Sequence, residues 1–234
     1  MYSHGSSILQ DPGNPDNLFI AMINHLKTGS VVELFDHEIG SNDLIHRETI
    51  KDSLLSSPNS IILISKNSFY ATNDLKNKHG ITRDFEMYLS LKTAHIVFYN
   101  GKQNKMKIVA ENLQYANGIS TNYDASLIYV AELTSPSLSI YERKSNFNLR
   151  FIEKLDVPML IDNVWTDLVT GNVYAAGMLR PLTIKRYFDD PLNNIQPGVV
   201  VKIANTTGDA KFYGHQYTVE VVYQGNGKLI YSLA

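Results

Sequence analysis

A unit of polar turn and β-strand recurs along this chain at a nearly constant interval, and that interval limits the folds open to it. The clearest copies carry Asn73, Asn117 and Asn163, so that successive copies lie 44 and 46 positions apart. Repeats of about 40–50 residues made of strands and turns are typical of the blades of a β-propeller. A further copy begins at His4-Gly5. The spacing therefore predicts an all-β fold of propeller type.

Each copy combines small polar residues with a strand rich in β-branched and aromatic residues. Residues 116–119 are predicted to form a turn before the strand 127–131, and residues 161–163 a turn before the strand 173–176. His4-Gly5 is predicted to lie in the corresponding turn of the first copy. Small polar residues would thus collect beside the strand ends that meet near a propeller axis.

The rest of the chain predicts a meander of strands within a single domain, 1–234, because no linker or shift in composition divides it. A short helical turn is predicted around 50–55, a solvated loop at 75–84 and a helical segment at 85–91. Further strands are predicted at 18–24, 31–35, 60–65, 68–72, 96–99, 106–110, 137–142, 149–155, 182–188, 199–203, 217–223 and 229–233.

Composition excludes several classes of function. The 234 residues carry a net charge of −2 and no basic stripe, so nucleic acid is not an expected partner. The absence of cysteine excludes a disulfide, a thiolate nucleophile and a cysteine zinc site. No apolar run approaches the roughly 18–20 residues that span a bilayer, and the segment MYSHGSS lacks the features of a signal peptide. The sequon at Asn205 matters only for a secreted chain.

Oxygen-bearing side chains at the repeats indicate a calcium site. Calcium takes six to eight oxygen ligands and accepts amide carbonyls as well as carboxylates, whereas zinc prefers thiolate and imidazole. A second interpretation stays open, since turns favour Asn and Asp for their own hydrogen bonding. The candidate ligands are Asn73, Asp74, Asn117, Asp162 and Asn163.

Two of the seven histidines are candidates for chemistry. His4 and His25 flank one predicted strand, and a histidine beside a divalent ion can act as a general base on water because its pKa lies near neutrality. The alternative is a surface or core histidine without a chemical role. The sequence contains neither G-x-S-x-G nor H-E-x-x-H, so a serine triad or a zincin is not supported. The other histidines are interpreted as structural: His37, His46, His79, His95 and His215.

In order along the chain, a series of short motifs resembles the paraoxonase/arylesterase family from His4 to the terminal hairpin. They are Ser3-His4-Gly5, Asn24-His25, 32–35 (VELF), 69–74 (FYATND), 86–89 (EMYL), 109–111 (VAE), 116–119 (ANGI), 129–133 (YVAEL) and Asp162-Asn163. The resemblance implies a six-bladed β-propeller, of which this chain would form about four to five blades, and hydrolysis of lactones, aryl esters and organophosphates. It also implies two calcium ions in a central tunnel, one catalytic and one structural.

The resemblance assigns a role to each candidate residue. His4 would be the base and His25 its partner, while Asp74 and the backbone carbonyl of Ser6 would hold the structural ion. Asn205 matches a glycosylation position. The ligands of the catalytic ion would be Asn73, Asn117, Asp162 and Asn163.

Some features of the family are not found in this sequence. The acidic pair of its first blade and its N-terminal hydrophobic segment precede the point where this sequence begins, the cysteine disulfide cannot form, and 177–181 lacks a histidine usual there. The chain is expected to be a fragment or an impaired form, and membrane or lipoprotein association is expected only of a full-length form. The predicted function is a calcium-dependent hydrolase of small esters and lactones, extracellular or in the secretory pathway. The alternative is a non-catalytic, calcium-stabilised propeller that binds a lipid or protein.

Overall fold

Four four-stranded sheets account for the strands that the structure describes. The structure, a computed structural model, describes residues 2–78, 80–179, 184–190, 193–206 and 217–226. The first sheet contains β1 (Tyr2–Asp11), β2 (Asn14–Leu26), β3 (Gly29–Glu38) and β4 (Ile45–Ile50), and the second contains β5 (Pro58–Ser65), β6 (Ser68–Asn73), β7 (Ala94–Asn100) and β8 (Lys105–Leu113). The third contains β9 (Ala116–Thr121), β10 (Leu127–Glu132), β11 (Ser137–Arg143) and β12 (Leu149–Asp156), and the fourth contains β13 (Leu160–Thr166), β14 (Val173–Met178), β15 (Gly198–Asn205) and β16 (Tyr217–Gln224).

Strand order within every sheet follows chain order, as expected for propeller blades. Two short helices, α1 (Ile81–Tyr88) and α2 (Ile184–Asp189), complete the described elements. Four consecutive meander sheets are consistent with the predicted all-β, propeller-like fold. Among the described residues, no helix is long and apolar enough to cross a bilayer.

Side-chain alternation explains the strands of the first sheet. In β2, Phe19, Ala21 and Ile23 are buried while the residues between them are only partly covered, which is the period of two that a half-buried strand requires.

In β10, a strand of the third sheet, the residues from Ile128 to Glu132 are all buried, so this strand is covered on both faces. Continuous burial of that kind favours the β-branched and aromatic residues found there.

The chain divides into two compact units, each with its own hydrophobic core. Unit 1 comprises 1–119 and 144–149, and unit 2 comprises 120–143 and 150–234, so one division falls within β9. The core of unit 1 includes Phe19, Leu34 and Phe69, and that of unit 2 includes Leu138, Ile161 and Val201. The single domain expected from the sequence stays a prediction.

Three of the predicted turns are strands in the structure. Residues 116–119 belong to β9, His4-Gly5 to β1, and 161–163 to β13. For 116–119 the cause is burial: the first five residues of β9 are buried, and their small side chains permit close packing that overrides the turn preference of Asn-Gly. For His4-Gly5 and 161–163, local register shifts accommodate the small polar residues inside strands.

Three other segments also differ from the prediction. The helical turn expected at 50–55 is the end of β4 followed by a turn, and the strand expected at 182–188 is largely α2. In α2, Tyr187 is buried while Arg186 and Asp189 are exposed, a one-sided pattern that suits a helix as well as a strand. The helix expected at 85–91 begins earlier, at Ile81. The strand expected at 229–233 lies outside the described residues.

Candidate active site

A β-bulge places His4 beside a pocket. In the pairing of β1 with β2, Ser3 lies opposite Asn24 and Ser6 opposite Met22, so His4 and Gly5 together face a single residue. An extra residue of this kind bends the strand and re-aims its side chains. Gly5 is required here, because a Cβ at this position would lie 2.6 Å from the carbonyl oxygen of Asn59 in β5.

The two predicted histidines are brought together. His4 Nδ1 lies 3.3 Å from His25 Nε2, and the ring centroids are 5.5 Å apart. On its other side, His25 Nδ1 lies 2.9 Å from the hydroxyl of Ser30, a buried residue directly opposite His25 in the β2–β3 register. Ser30 thus fixes the orientation of His25, which in turn positions His4. Ser30 was not predicted to orient His25. The available signal was the hairpin turn at 27–28, which places Ser30 opposite His25.

The surroundings of His4 favour its neutral form. Although His4 is exposed to the pocket, desolvation by the surrounding protein lowers its pKa; the Asp74 carboxylate raises that pKa and the Arg83 guanidinium lowers it, with a net lowering. A neutral imidazole near physiological pH can accept a proton.

Asp74 forms an ion pair with Arg83. Its carboxylate is buried, with 4% of the residue exposed, and receives hydrogen bonds from Arg83 Nη2 at 2.7 Å and Arg83 Nη1 at 3.0 Å. The hydroxyl of Ser57 donates a third bond, at 2.5 Å. Burial lowers the pKa of Arg83, but its hydrogen bonds and Coulombic attraction to Asp74 raise that pKa further than burial lowers it. Both oxygens of Asp74 thus accept hydrogen bonds from Arg83, and the assignment of Asp74 to a calcium ion stays a prediction.

Arg83 was missed by sequence reasoning. It lies on α1, after Gly80, whose φ of 84° lets the chain turn into the helix. Arg83 also donates to the hydroxyl of Tyr115 and to the carbonyl of Asn77, and Glu86, one turn on, accepts two hydrogen bonds from Asn77. No spacing in the sequence links Arg83 to Asp74 or Tyr115, so no sequence signal pointed to it.

The side chain of Asn73 makes hydrogen bonds to a loop that is distant in sequence. It is fully buried at the end of β6, where its Oδ1 accepts from the backbone N–H of Ser57 at 2.9 Å and its Nδ2 donates to the carbonyl of Leu54 at 3.0 Å. The amide thus attaches the 54–57 loop to the sheet. Asn117 is also buried, and its backbone carbonyl accepts a hydrogen bond from Thr72 Oγ1 at 2.6 Å.

Asp162 and Asn163 lie at a second bulge, in unit 2. In the β13–β14 pairing Ile161 lies opposite Gly177 and Asn163 opposite Ala176, so Asp162 is the inserted residue. Asp162 is buried, with 8% exposed. A Cβ at Gly177 would lie 2.0 Å from the carbonyl oxygen of Leu160, which explains the glycine at that position.

The remaining predicted positions are exposed. Ser6 pairs with Met22 in β1, and Asn205 is the last residue of β15, where it pairs with Tyr217. Among the described residues, no group of three or more histidine, aspartate or glutamate side chains is arranged to hold a metal. The donors assigned to the catalytic ion nevertheless have the chemistry that calcium prefers, one carboxylate with amide oxygens. They are Asn73 and Asn117 in unit 1 and Asp162 and Asn163 in unit 2.

A cavity of about 800 Å³ in unit 1 opens beside the histidine pair. Its lining includes His4, His25, Ser57, Asp74 and Arg83. The two histidines and the ion pair of Asp74 with Arg83 therefore face one space large enough for a small molecule.

Comparison with known proteins identifies the family. A model of the family described as Arylesterase matches residues 1–233. The chain is 33% identical over 228 residues to mouse serum paraoxonase/arylesterase 1, covering 97% of this chain and 60% of that protein. It is 31% identical over 229 residues to human serum paraoxonase/lactonase 3, with the same coverage. The chain thus spans about 60% of the length of the curated relatives it matches.

A solved structure supports the fold alone. The crystal structure of a putative 6-phosphogluconolactonase from Bacteroides uniformis matches with a TM-score of 0.52 at 7% identity, covering 94% of this chain and 56% of that one. The resemblance inferred from the motifs is confirmed by the family match, and the chain belongs to the arylesterase family.

Proposed function

We propose that the protein hydrolyses small esters or lactones, with His4 as the general base that activates water. The observation that carries this proposal is the hydrogen-bonded series His4–His25–Ser30, which ends at the 800 Å³ cavity. Family membership supports a hydrolase, and the relatives include a paraoxonase/arylesterase and a paraoxonase/lactonase.

The hydrogen-bonded series is compatible with a tautomer in which His4 can act as a base. With the proton of His25 on Nδ1, donated to Ser30 Oγ, His25 Nε2 accepts a hydrogen bond from His4 Nδ1–H. In this tautomer His4 Nε2 carries no proton. This tautomer leaves His4 able to take a proton and His25 able to stabilise the imidazolium that results.

In the chemical step His4 acts first as a base and then as an acid. His4 Nε2 takes a proton from water as the water oxygen bonds to the ester carbonyl carbon. Collapse of the tetrahedral species breaks the bond to the leaving oxygen, and the His4 imidazolium returns the proton to that oxygen. The products are a carboxylic acid and an alcohol, or a hydroxy acid from a lactone.

Calcium enters the proposal through the family resemblance. Bound by oxygens of Asn73, Asn117, Asp162 and Asn163, it would polarise the ester carbonyl and stabilise the oxyanion. Asn73 would have to exchange a hydrogen bond to the 54–57 loop for the ion. A second ion at Asp74 and the carbonyl of Ser6, which the resemblance also implies, would have to compete with Arg83 for Asp74.

The test is hydrolysis of phenyl acetate by the purified chain, with calcium and then with excess chelator. We expect the rate to be lost with chelator, and His4→Gln to lower kcat by about 10²–10⁴-fold while calcium affinity, measured by calorimetry, is unchanged. His37→Gln is the matched control, since the ring of His37 contacts the carbonyl of Asp43 and lies outside the cavity lining. An unchanged rate in His4→Gln would overturn the role of His4 as the base, and no hydrolysis by the native, folded chain would leave the non-catalytic binding role.

Three expectations accompany the proposed function. The partner is a small-molecule ester or lactone. The word serum in the names of the relatives supports an extracellular location. Glycosylation at the exposed Asn205 stays a prediction that mass spectrometry of secreted protein would test.

A further inference from the structure

Four lysines line two adjoining hollows, one of which contains the histidine pair, and we call these lysines the lysine rim. Lys27 and Lys78 line the 800 Å³ cavity. Lys51, Lys76 and again Lys78 line an adjoining hollow of about 450 Å³, which shares Thr28, Gly29 and Ser30 with the first. The two hollows therefore form a continuous surface on unit 1, at which the rim stands beside the proposed base.

The rim has no carboxylate partner of its own. Within the described part of the chain, none of the four lysines forms an ion pair. The carboxylates nearby are engaged elsewhere: Asp74 pairs with Arg83, Glu86 accepts two bonds from Asn77, and Asp52 accepts the backbone N–H of Leu54 at 2.8 Å.

The local charge contrasts with that of the whole protein. Together with Arg83, the rim places five cations around the two hollows against the carboxylates of Asp52 and Asp74, a formal excess of three positive charges. The whole protein has a net charge of −2. A concave surface with charge of one sign concentrates ligands of the opposite sign.

Lys78 connects the rim to the proposed chemistry. Its Nζ donates to the hydroxyl of Ser30 at 3.4 Å, and that hydroxyl lies 2.9 Å from His25 Nδ1. Lys78 is only partly exposed, so its charge is less screened than that of the other three lysines. An ammonium group is thus held two hydrogen bonds from His25.

We propose that the lysine rim, with Lys78 at its centre, binds an anionic group on the substrate, so that the preferred substrates are esters or lactones bearing a carboxylate or phosphate. This inference rests on the proposed function, because it assigns a substrate class to the same site. Lys78 is a specificity-determining residue: its ammonium attracts the anionic end of the molecule while the carbonyl lies by His4.

The experiment compares two esters with the same leaving group and acyl length. These are 4-nitrophenyl pentanoate, which is neutral, and mono-4-nitrophenyl glutarate, which ends in a carboxylate; uncatalysed rates are subtracted. We expect kcat/KM to be higher for the glutarate ester, and Lys78→Met to lower the ratio of glutarate to pentanoate about tenfold, the size of one partly buried charge interaction. Lys102→Met, on an exposed turn outside both hollows, should leave the ratio unchanged.

Inhibition distinguishes the two anions. Free glutarate and inorganic phosphate are added separately as competitors, and the one that raises KM in native protein more than in Lys78→Met identifies the group that the rim accepts. Raising the salt concentration should reduce turnover of the glutarate ester selectively. Equal kcat/KM for the two esters, or an equal loss for both in Lys78→Met, would overturn the inference.

Failure of the proposed function would give a different result. If neither ester is turned over, calorimetric titration with glutarate and with phosphate decides the matter. Binding of either anion that is lost in Lys78→Met would support the anion site without the hydrolase. No binding of either, or binding unchanged in Lys78→Met, would refute the anion site.

Discussion

Asp74 and Asp162 are both buried aspartates at repeat positions, yet their neighbours give them different environments. Asp74 follows β6, and a helix brings Arg83 against both of its oxygens. Asp162 is the inserted residue of a bulge, next to the point where Gly177 closely approaches the backbone of Leu160 and Ile161. Two acidic residues at equivalent repeat positions can therefore differ in what surrounds them, because the adjacent segment supplies the neighbouring groups.

The largest effect should come from the backbone that supports Asp162. In Gly177→Ala the new Cβ would meet the Leu160 carbonyl oxygen at 2.0 Å, a contact that only backbone movement can relieve. We expect a loss of about 3–5 kcal/mol in unfolding free energy, measured by urea denaturation. Gly13→Ala, where the Cβ meets nothing closer than 3.4 Å, should change stability by less than about 0.5 kcal/mol. Equal stability of both variants would contradict the described bulge.

Removing the arginine should have the next largest effect. Arg83→Met leaves the Asp74 carboxylate buried without its partner, which we expect to cost about 2–4 kcal/mol, and the double variant Asp74→Asn/Arg83→Met should recover most of that loss. Thermal unfolding of the variants with and without calcium then sharpens the comparison. If Arg83 replaces an ion, calcium should raise the Tm of Arg83→Met above its effect on the double variant. An equal response would show that Asp74 has no affinity for the ion.

Replacing Asn73 distinguishes a role in hydrogen bonding from a role in ion binding. Asn73→Ala removes the bonds to Ser57 and Leu54 in a fully buried position, and we expect a loss of about 2 kcal/mol. That loss should be equal with calcium and with chelator if the amide serves the loop alone. A loss seen only in the presence of calcium would assign Asn73 to the ion instead.

The smallest effect concerns Glu33, a partly buried carboxylate with neither an arginine nor a bulge. Burial raises its pKa, but hydrogen bonds from Thr49, His46 and Asn24 lower it further, so its pKa in the folded protein is below the ordinary value. Its contribution is therefore present above the unfolded-state pKa near 4.5 and is lost as pH falls through the lower folded value. Glu33→Gln should be less stable by about 0.5 kcal/mol at neutral pH. Denaturation at several pH values should show that difference shrinking below about pH 4; a constant difference would contradict the assignment.

The repeat interval and strand alternation predicted most of the fold, because both record burial on one face of a sheet. The pairing of His4 with His25 was predicted from the resemblance to the family, while the residues alone showed only that both flank one strand. Arg83 could not be found in this way, since the charged segment 75–84 was interpreted as a solvated loop. Its structure depends on tertiary contacts to Asp74 and Tyr115 that sequence spacing does not encode. The predicted turn at Asn117 failed for a related reason, because burial outweighed local turn preference.

The bulges at His4 and Asp162 affect how the candidate site can change during the evolution of the family. Each inserts one residue into a strand whose side chains alternate between faces. Deleting a single codon there would restore regular pairing and would turn the side chains on one side of the deletion to the opposite face. The candidate site could therefore be abolished or created by an in-frame change of three nucleotides, with no substitution at any of its residues.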